Sequence, residues 1–164
     1  RLIREFFELS KEQHITIKRE IELLKNYLDL ESLRFNKKLH YQIEVDPTLN
    51  LNDFIPSMLL QPIVENAVNH GIFNKSVTGL IIVKFVKLDE KQIQIHIIDD
   101  GVGFKFKKDD VRYKSSSVLE DRLRYLKASG LWEIELKRGP ASSDIEYPGH
   151  EVIFNLKKLS NENL

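Results

Sequence analysis

The chain has 164 residues, with 25 Lys or Arg against 25 Asp or Glu, and no cysteine. The length suits one domain with a substantial core, and the balanced charge argues against a nucleic-acid surface, which needs a basic excess. The lack of cysteine excludes disulfides, thiol nucleophiles and cysteine zinc sites. No apolar run approaches the roughly 18 residues of a membrane span, and no signal peptide is visible. Because the sequence opens on Arg1 inside a helical pattern, we interpret it as a fragment of a longer protein.

The first elements follow from hydrophobic periodicity. Residues 2–9 are predicted to form a short amphipathic piece, and His14 to lie in a linker-like turn after it. Residues 17–34 carry apolar side chains at the i, i+3, i+4, i+7 spacing that is typical of an amphipathic helix. Residues 39–45 alternate between apolar and polar side chains, which predicts a strand with one buried face.

The middle of the chain predicts a helix and a hairpin. Pro56 suits the first turn of a helix that runs to about His70, and Gly71 is placed as a C-terminal glycine of that helix. The β-rich runs 80–88 and 92–98 are predicted to form two strands joined at residues 89–91.

The last third is predicted to begin with an irregular polar segment, 104–117. A helix is expected at about 118–128, with Ser117 and Glu120 at capping-box spacing and Gly130 after its end. Two further strands are expected at 131–137 and 151–157. The whole pattern is α+β, with a mostly antiparallel mixed sheet and helices packed on one face.

One predicted helix carries unusual polar residues, in the run PIVENAVNHG at residues 62–71. On a helical projection its apolar side chains fall within one arc, and Glu65, Asn66, Asn69 and His70 fall on the other side. A solvated outer face explains this pattern, but asparagine is a poor helix former and Lys, Glu, Gln or Arg would serve better. The carbonyl oxygen of Asn66 is alternatively a hard ligand suited to Mg²⁺.

A second run, DDGVG at residues 99–103, directly follows a predicted strand. Asp-Gly after a strand is an ordinary turn signal. The alternative is a ligand site, because glycines let the backbone approach a ligand closely and a carboxylate at a strand end can accept a hydrogen bond from an exocyclic amine such as that of adenine.

The two runs, in this order and about thirty residues apart, resemble the N box and G1 box of the GHKL ATPases, which include DNA gyrase, the heat-shock ninety chaperones, MutL and histidine kinases. Residues 56–71 are similar to the P-x-x-L-Q-P-x-V-E-N-A-x-x-H-G run of LytS-like sensor histidine kinases. Residues 20–35 resemble their Y-L-x-L-E-x-x-R-F helix, and residues 149–154 their closing glycine and last strand. The resemblance covers roughly residues 15–158.

This resemblance implies a Bergerat-fold α/β sandwich that binds ATP and Mg²⁺. Asn66 would ligate the Mg²⁺, and Glu65 would orient or polarise groups near the γ-phosphate. Asn69 and His70 would line the phosphate side, although Asn69 stands where the family often has lysine.

At the purine side, the resemblance implies that Asp99 reads the adenine amine and that Gly101 and Gly103 let the backbone pass beside the base.

The lid that follows departs from the family pattern G-x-G-L-x-N-x-x-x-R-L. Arg122 and Leu123 match it, but Tyr113 and Ser115 replace the two glycines and Val118 replaces the asparagine. Backbone N–H groups of such glycines wrap phosphates at a helix N-terminus. The hydroxyls of Ser115 and Ser117, with nearby N–H groups, are the candidate replacements.

Three hypotheses follow from the resemblance. The first is the catalytic domain of a two-component sensor histidine kinase, which transfers the γ-phosphate to a histidine on an upstream dimerisation helix that this chain lacks. The second is a pseudokinase with an eroded lid that signals by docking. The third is a GHKL kinase acting on serine, which the helix of residues 20–35 disfavours.

The first hypothesis implies further expectations. Partners would be a response regulator and the upstream dimerisation domain, with a homodimer in the full-length protein. The domain would lie in the cytoplasm, on a membrane sensor whose anchor is upstream. Residues 1–16 would end the upstream segment, 17–158 would form the ATP-binding domain and 159–164 the C-terminal tail.

Overall fold

The computed structural model describes residues 14–36, 38–103 and 114–159, with backbone only for 114–118. Within these ranges no helix combines the length and the apolar character that crossing a membrane requires. In chain order the elements are β1 (His14–Thr16), α1 (Ile17–Arg34), β2 (Leu39–Val45), β3 (Phe54–Pro56), α2 (Gln61–Asn66), a π-helical segment (Ala67–Ile72), β4 (Gly79–Lys87), β5 (Gln92–Asp99), α3 (Lys114–Ala128), β6 (Trp132–Gly139) and β7 (His150–Lys158).

The main sheet has five strands in the order β2-β4-β5-β7-β6. The β2–β4 pair is parallel, and the other neighbours are antiparallel. Alternate side chains such as Val83, Ile97 and Phe154 are buried in one core with the helices. This confirms the predicted mixed, mostly antiparallel sheet with helices on one face, and the hairpin between β4 and β5.

The opposite face of the sheet carries polar side chains that pair across strands. His96 Nδ1 lies 2.9 Å from Glu151 Oε1, and Lys84 Nζ lies 3.1 Å from Glu44 Oε2. The exposed His40 lies on the same face at the end of β2. His40 and His96 therefore both lie on the polar face of the sheet.

Helix α1 has the predicted bounds because its start and its apolar face are both encoded locally. The Thr16 hydroxyl accepts a hydrogen bond from the Arg19 N–H at 3.2 Å and caps the first turn. Leu24 and Leu28, one turn apart, are buried against the sheet.

The predicted helix start at Pro56 is wrong. Pro56 ends β3, which pairs with β1, so His14 lies in a strand and not in a linker-like turn. The chain then passes through Met58, whose φ of 58° is left-handed and interrupts regular structure. Helix α2 begins at Gln61, and Pro62 occupies the first-turn position that we assigned to Pro56.

The predicted role of Gly71 as the helix C-terminal glycine is also wrong. Helix α2 widens into the π-helical segment, where the Phe73 N–H donates to the Val68 carbonyl five residues earlier at 2.9 Å. Gly71 lies inside this segment and is not among the glycines with positive φ. Single π-helical turns are often found at functional sites.

Helix α3 begins at Lys114 and not near residue 118, so Ser117 lies within the helix and is not its N-cap. The helix ends at Ala128, and Gly130 follows it with a φ of 70°, which confirms the predicted break. Strands β6 and β7 match the predicted runs to within two residues. Trp132 is buried, and its Nε1–H donates to His14 Nε2 at 3.0 Å.

A buried carboxyl group joins α1 to the start of α2. Glu20 is 3% exposed, and the Leu60 backbone N–H donates a hydrogen bond to it. Burial raises the pKa of Glu20 from 4.5 to about 7, and the Leu60 hydrogen bond opposes that rise. Glu20 is therefore largely protonated in the folded protein at pH 6, where an unfolded chain would have it ionised.

The backbone of the π-helical segment packs directly on the turn after β5. A Cβ atom added to Gly101 would lie 2.4 Å from Gly71 Cα, and one added to Gly71 would lie 2.5 Å from Asp99 Oδ1. Gly139, in contrast, has no atom within 4 Å of the corresponding position. The two segments approach this closely only because both positions lack a side chain.

We predict that Glu20 makes stability fall with rising pH. Because burial raises the folded-state pKa of Glu20, its contribution to the free energy of unfolding is complete below pH 4.5 and is lost as the pH rises through 7. Glu20→Gln should therefore be more stable than the parent at pH 8, by on the order of 3 kcal/mol, and close to it at pH 4.5. Urea unfolding at both pH values measures this, and an equal difference at both would contradict it.

We also predict that Gly101→Ala destabilises the chain by about 3 kcal/mol, because the new methyl group overlaps the Gly71 backbone. Gly139→Ala is the matched control and should change the free energy of unfolding by less than about 0.5 kcal/mol. Thermal and urea unfolding measure both. Equal stability of the two variants would show that the two segments can separate without cost.

Candidate functional site

Asp99 ends β5 with its side chain turned into the core-facing layer, where it is 4% exposed. Its Oδ1 accepts a hydrogen bond from the Gly101 N–H at 3.0 Å, and the His150 backbone N–H donates to the same carboxyl group. Burial raises the pKa of Asp99 to about 7, and nearby Asp100 adds to the rise. The two N–H groups and Lys75 oppose it. A carboxyl group with such a pKa changes charge near neutral pH.

The glycines predicted to flank the purine lie in tight surroundings. Gly101 is buried, and Gly103 has a φ of 67°, the left-handed region that favours glycine. Pro148 and Gly149 close the same turn from the β6–β7 loop. A Cβ atom on Gly103 would lie 2.7 Å from Pro148 Cγ, and the Gly149 N–H donates to the Gly101 carbonyl at 3.0 Å.

The residues predicted for the phosphate side lie along α2 and the π-helical segment. Glu65, Asn66 and His70 are half-buried, and Asn69 is exposed. Gln61, one turn before Glu65, donates from Nε2 to Glu65 Oε1 at 3.0 Å and so fixes one oxygen of that carboxylate. The polar face is therefore partly sheltered, unlike an ordinary solvated helix face.

The structure brings the two predicted halves of the site together. The Val102 N–H donates to the Gly71 carbonyl at 3.3 Å, beside the close approach of Gly71 to Gly101. Asp99 therefore lies against the segment that continues from Asn66, although about thirty residues separate them in sequence. The close packing of Gly71 on Gly101 was not predicted from the sequence. The signal that could have indicated it was the glycine at position 101 in the DDGVG run.

Two predicted residues, Ser115 and Ser117, fall at the start of α3, where only their backbone is described. Residues 104–113, which carry most of the predicted lid, lie outside the described residues. Farther along α3, Arg122 Nη2 donates to the carbonyl oxygen and the hydroxyl of Ser57 at 3.1 and 3.0 Å. This contact ties the helix after the lid to the loop that leads into α2.

Two further groups border the site and were not predicted. The pKa of Tyr27 on α1 is raised by burial and then by the carboxylates Glu31 and Glu65, so the helix of residues 20–35 reaches the Glu65 side. Lys75, after the π-helical segment, has its Nζ 2.8 Å from Asp100 Oδ2. No periodicity marks either contact, because the partners are distant in sequence.

His150 lies opposite Asp99 on β7. Burial, and to a lesser degree the charge of Arg138, lowers the pKa of His150 to about 4. The imidazole is therefore neutral at pH 7, and it places no positive charge beside Asp99.

The donor set fits a magnesium nucleotide. Among the described residues no three His, Asp or Glu side chains are grouped to hold a metal ion. Mg²⁺ in phosphoryl-transfer sites usually takes only one or two protein oxygens and completes its shell with phosphate and water. The half-buried side-chain oxygen of Asn66 suits that role, and the buried carboxyl group of Asp99 suits an amine.

Known proteins resemble this chain in sequence. No protein-family model matches it. Sensor histidine kinase YpdA of Escherichia coli K12 is 34% identical over 103 residues, which is 63% of this chain and 18% of YpdA. Sensor protein LytS of Oceanobacillus iheyensis is 32% identical over 100 residues, which is 61% of this chain and 17% of LytS. The chain thus spans less than a fifth of either relative.

Solved structures resemble it in fold. The mycobacterial sensor histidine kinase MprB has a TM-score of 0.62 at 14% identity, covering 88% of this chain and 96% of that one. Histidine kinase ThkA, in a complex with response regulator protein TrrA, has a TM-score of 0.52 at 15% identity, covering 96% of this chain and 46% of that one. The chain has the fold of a histidine kinase catalytic domain and is related in sequence to LytS-like sensor histidine kinases, which confirms the resemblance drawn from its motifs.

Proposed function

We propose that this chain is the ATP-binding catalytic domain of a two-component sensor histidine kinase. It would deliver the γ-phosphate of ATP to a histidine on a dimerisation helix outside this chain. The observation that carries the proposal is the packing of the Asp99–Gly103 turn on the segment that follows Asn66, through Gly71 and Gly101. This packing supports the proposal, because it holds the turn that begins at Asp99 against the segment that continues from Asn66.

The residues act by positioning and by charge. Asp99, when ionised, accepts a hydrogen bond from the exocyclic amine of adenine. Asn66 would hold the Mg²⁺, which when bound would neutralise charge on the phosphates. Glu65, fixed by Gln61, orients groups near the γ-phosphate, and Asn69 and His70 line the phosphate side. Gly101 and Gly103 would leave room beside the base. Ser115 and Ser117 would replace the lid glycines as hydrogen-bond donors to the phosphates.

The proposal includes partners and a place in a longer protein. The ThkA–TrrA complex supports a response regulator as one partner. The other would be the dimerisation segment of the same protein, as a homodimer, with the domain on the cytoplasmic side of a membrane sensor. We propose 17–158 as the ATP-binding domain, 1–16 as the end of the upstream segment and 159–164 as a tail.

The first test is nucleotide binding and its dependence on Asn66. Calorimetry with a non-hydrolysable ATP analogue should show binding that is tighter with Mg²⁺ than with EDTA. Asn66→Ala removes the proposed metal ligand, so the gain from Mg²⁺ should fall at least about tenfold, or roughly 1.4 kcal/mol.

Asn52→Ala is the matched control, because Asn52 is exposed in the loop before β3. It should bind the analogue as the parent does. Absence of Mg²⁺-dependent binding in the parent at millimolar nucleotide would overturn the proposal and would favour a pseudokinase that signals by docking.

The second test uses the pKa of Asp99. Only the ionised carboxylate accepts the adenine amine fully, and the pKa of Asp99 is about 7. The preference for ATP over inosine triphosphate, which lacks the amine, should therefore rise about tenfold from pH 6 to pH 8. Taking the ratio removes the titration of the phosphates, which the two nucleotides share. A preference that does not change with pH would show that Asp99 does not read the amine.

A further inference from the structure

Lys75 is a lysine with an unusually buried position. Its side chain is 7% exposed, its Nζ lies 2.8 Å from Asp100 Oδ2, and the same Nζ lies 5.1 Å from the centre of the Tyr147 ring. Lysine is rarely buried unless it is paired, and a cation over an aromatic face is stabilised by the ring quadrupole. The surroundings therefore fix the position of one positive charge.

The ion pair connects the phosphate side of the site with the purine side. Lys75 follows the π-helical segment, and Asp100 follows Asp99 in the turn after β5. The other oxygen of Asp100 accepts the Leu80 N–H at 2.8 Å, and the Asp100 N–H donates to the Leu80 carbonyl at 3.2 Å. Asp100 is thus locked to β4, and Lys75 is locked to Asp100.

Tyr147 adds the third segment, the loop between β6 and β7. Its hydroxyl lies 2.9 Å from the Ser76 hydroxyl, and its ring covers Lys75. The next residue, Pro148, lies against Gly103. Three segments that are distant in sequence therefore meet around the Lys75 ammonium group, next to the turn that carries Asp99.

Lys75 is also the cation that acts on Asp99. The charged or titratable groups around that carboxyl group are Asp100 in its own turn, Lys75 after the π-helical segment, and His150 on β7 with Arg138 near it. His150 is neutral at pH 7, because burial lowers its pKa to about 4. Lys75 favours the ionised form of Asp99, and Asp100 disfavours it.

We propose that Lys75 is a positioning residue for purine recognition, which holds the Asp99–Gly103 turn through Asp100 and places a positive charge beside the Asp99 carboxylate. The role in purine recognition rests on the proposed function, because there the ionised Asp99 carboxylate accepts the adenine amine. Its structural half concerns the protein alone and can be tested without nucleotide.

The experiment begins with the nucleotide-free chain. The Asp99 carboxyl resonance is titrated by ¹³C NMR in the parent, Lys75→Met and Lys75→Gln, the last of which keeps a hydrogen-bond donor to Asp100 without the charge. Removal of the charge should move the Asp99 midpoint up by about one pH unit. Asp100→Asn should move it down, because a negative neighbour is lost. Lys84→Met, which breaks the Lys84–Glu44 pair on the polar face of the sheet, should leave it unchanged.

The second readout is the ATP to inosine triphosphate affinity ratio. In Lys75→Met or Lys75→Gln it should fall about fivefold at pH 7 and less than about twofold at pH 9, as the higher midpoint requires. A variant that merely loosens the fold would instead weaken the binding of both nucleotides at every pH and leave their affinity ratio unchanged.

The outcomes separate this inference from the proposed function. An unchanged Asp99 midpoint in both Lys75 variants overturns the role of Lys75, even when the parent binds ATP. A shifted midpoint in a parent chain that binds no nucleotide overturns the proposed function, and with it the role in purine recognition. A shifted midpoint with an unshifted affinity ratio also overturns the inference.

Discussion

The contact between the Gly71 and Gly101 backbones is the constraint on which the site depends. Sheet pairing fixes the Asp99 turn, and the buried side chains of α2 and the π-helical segment fix the segment that continues from Asn66. The two halves meet only where neither backbone carries a Cβ atom. The hydrogen bond from the Val102 N–H to the Gly71 carbonyl then sets their register. A larger residue at either position would separate the Asp99 turn from the segment that continues from Asn66.

Much of the fold could be predicted because its determinants are local. Helix α1 has a capping threonine and an apolar stripe within its own eighteen residues, and the strands alternate along their own length. The start of α2 could not be predicted in the same way. Pro56 is held in β3 by pairing with β1, a contact between segments forty residues apart, and the proline rule applied equally well to Pro62. The widening to a π-helix at Ala67 has no known local signal in this sequence.

The site was predicted in the same uneven way. Asn66 and Asp99 each stand in a short run whose chemistry can be recognised locally, and the resemblance joins those runs. Lys75 and Tyr147 have no such run around them, because each acquires its role from a residue on another element. Lys75 in particular has the sequence context of an ordinary surface lysine. Only the fold buries its side chain and places its ammonium group against Asp100 in the turn after β5.

Glu20 and Asp99 are buried carboxyl groups that differ in the hydrogen-bond donors and charges around them. Burial raises the pKa of each to about 7. Glu20 receives one backbone N–H, from Leu60, and its neutral form can remain in the core between α1 and α2 with little penalty. Asp99 receives two backbone N–H groups and a nearby cation, all of which favour the charged form. The imidazole of its neighbour His150 is neutral at pH 7, so the charge of Lys75 is the one that favours the ionised form of Asp99. The N–H groups and Lys75 therefore offset part of the cost of burying a charge at Asp99, and the proposed recognition of an amine depends on that charge.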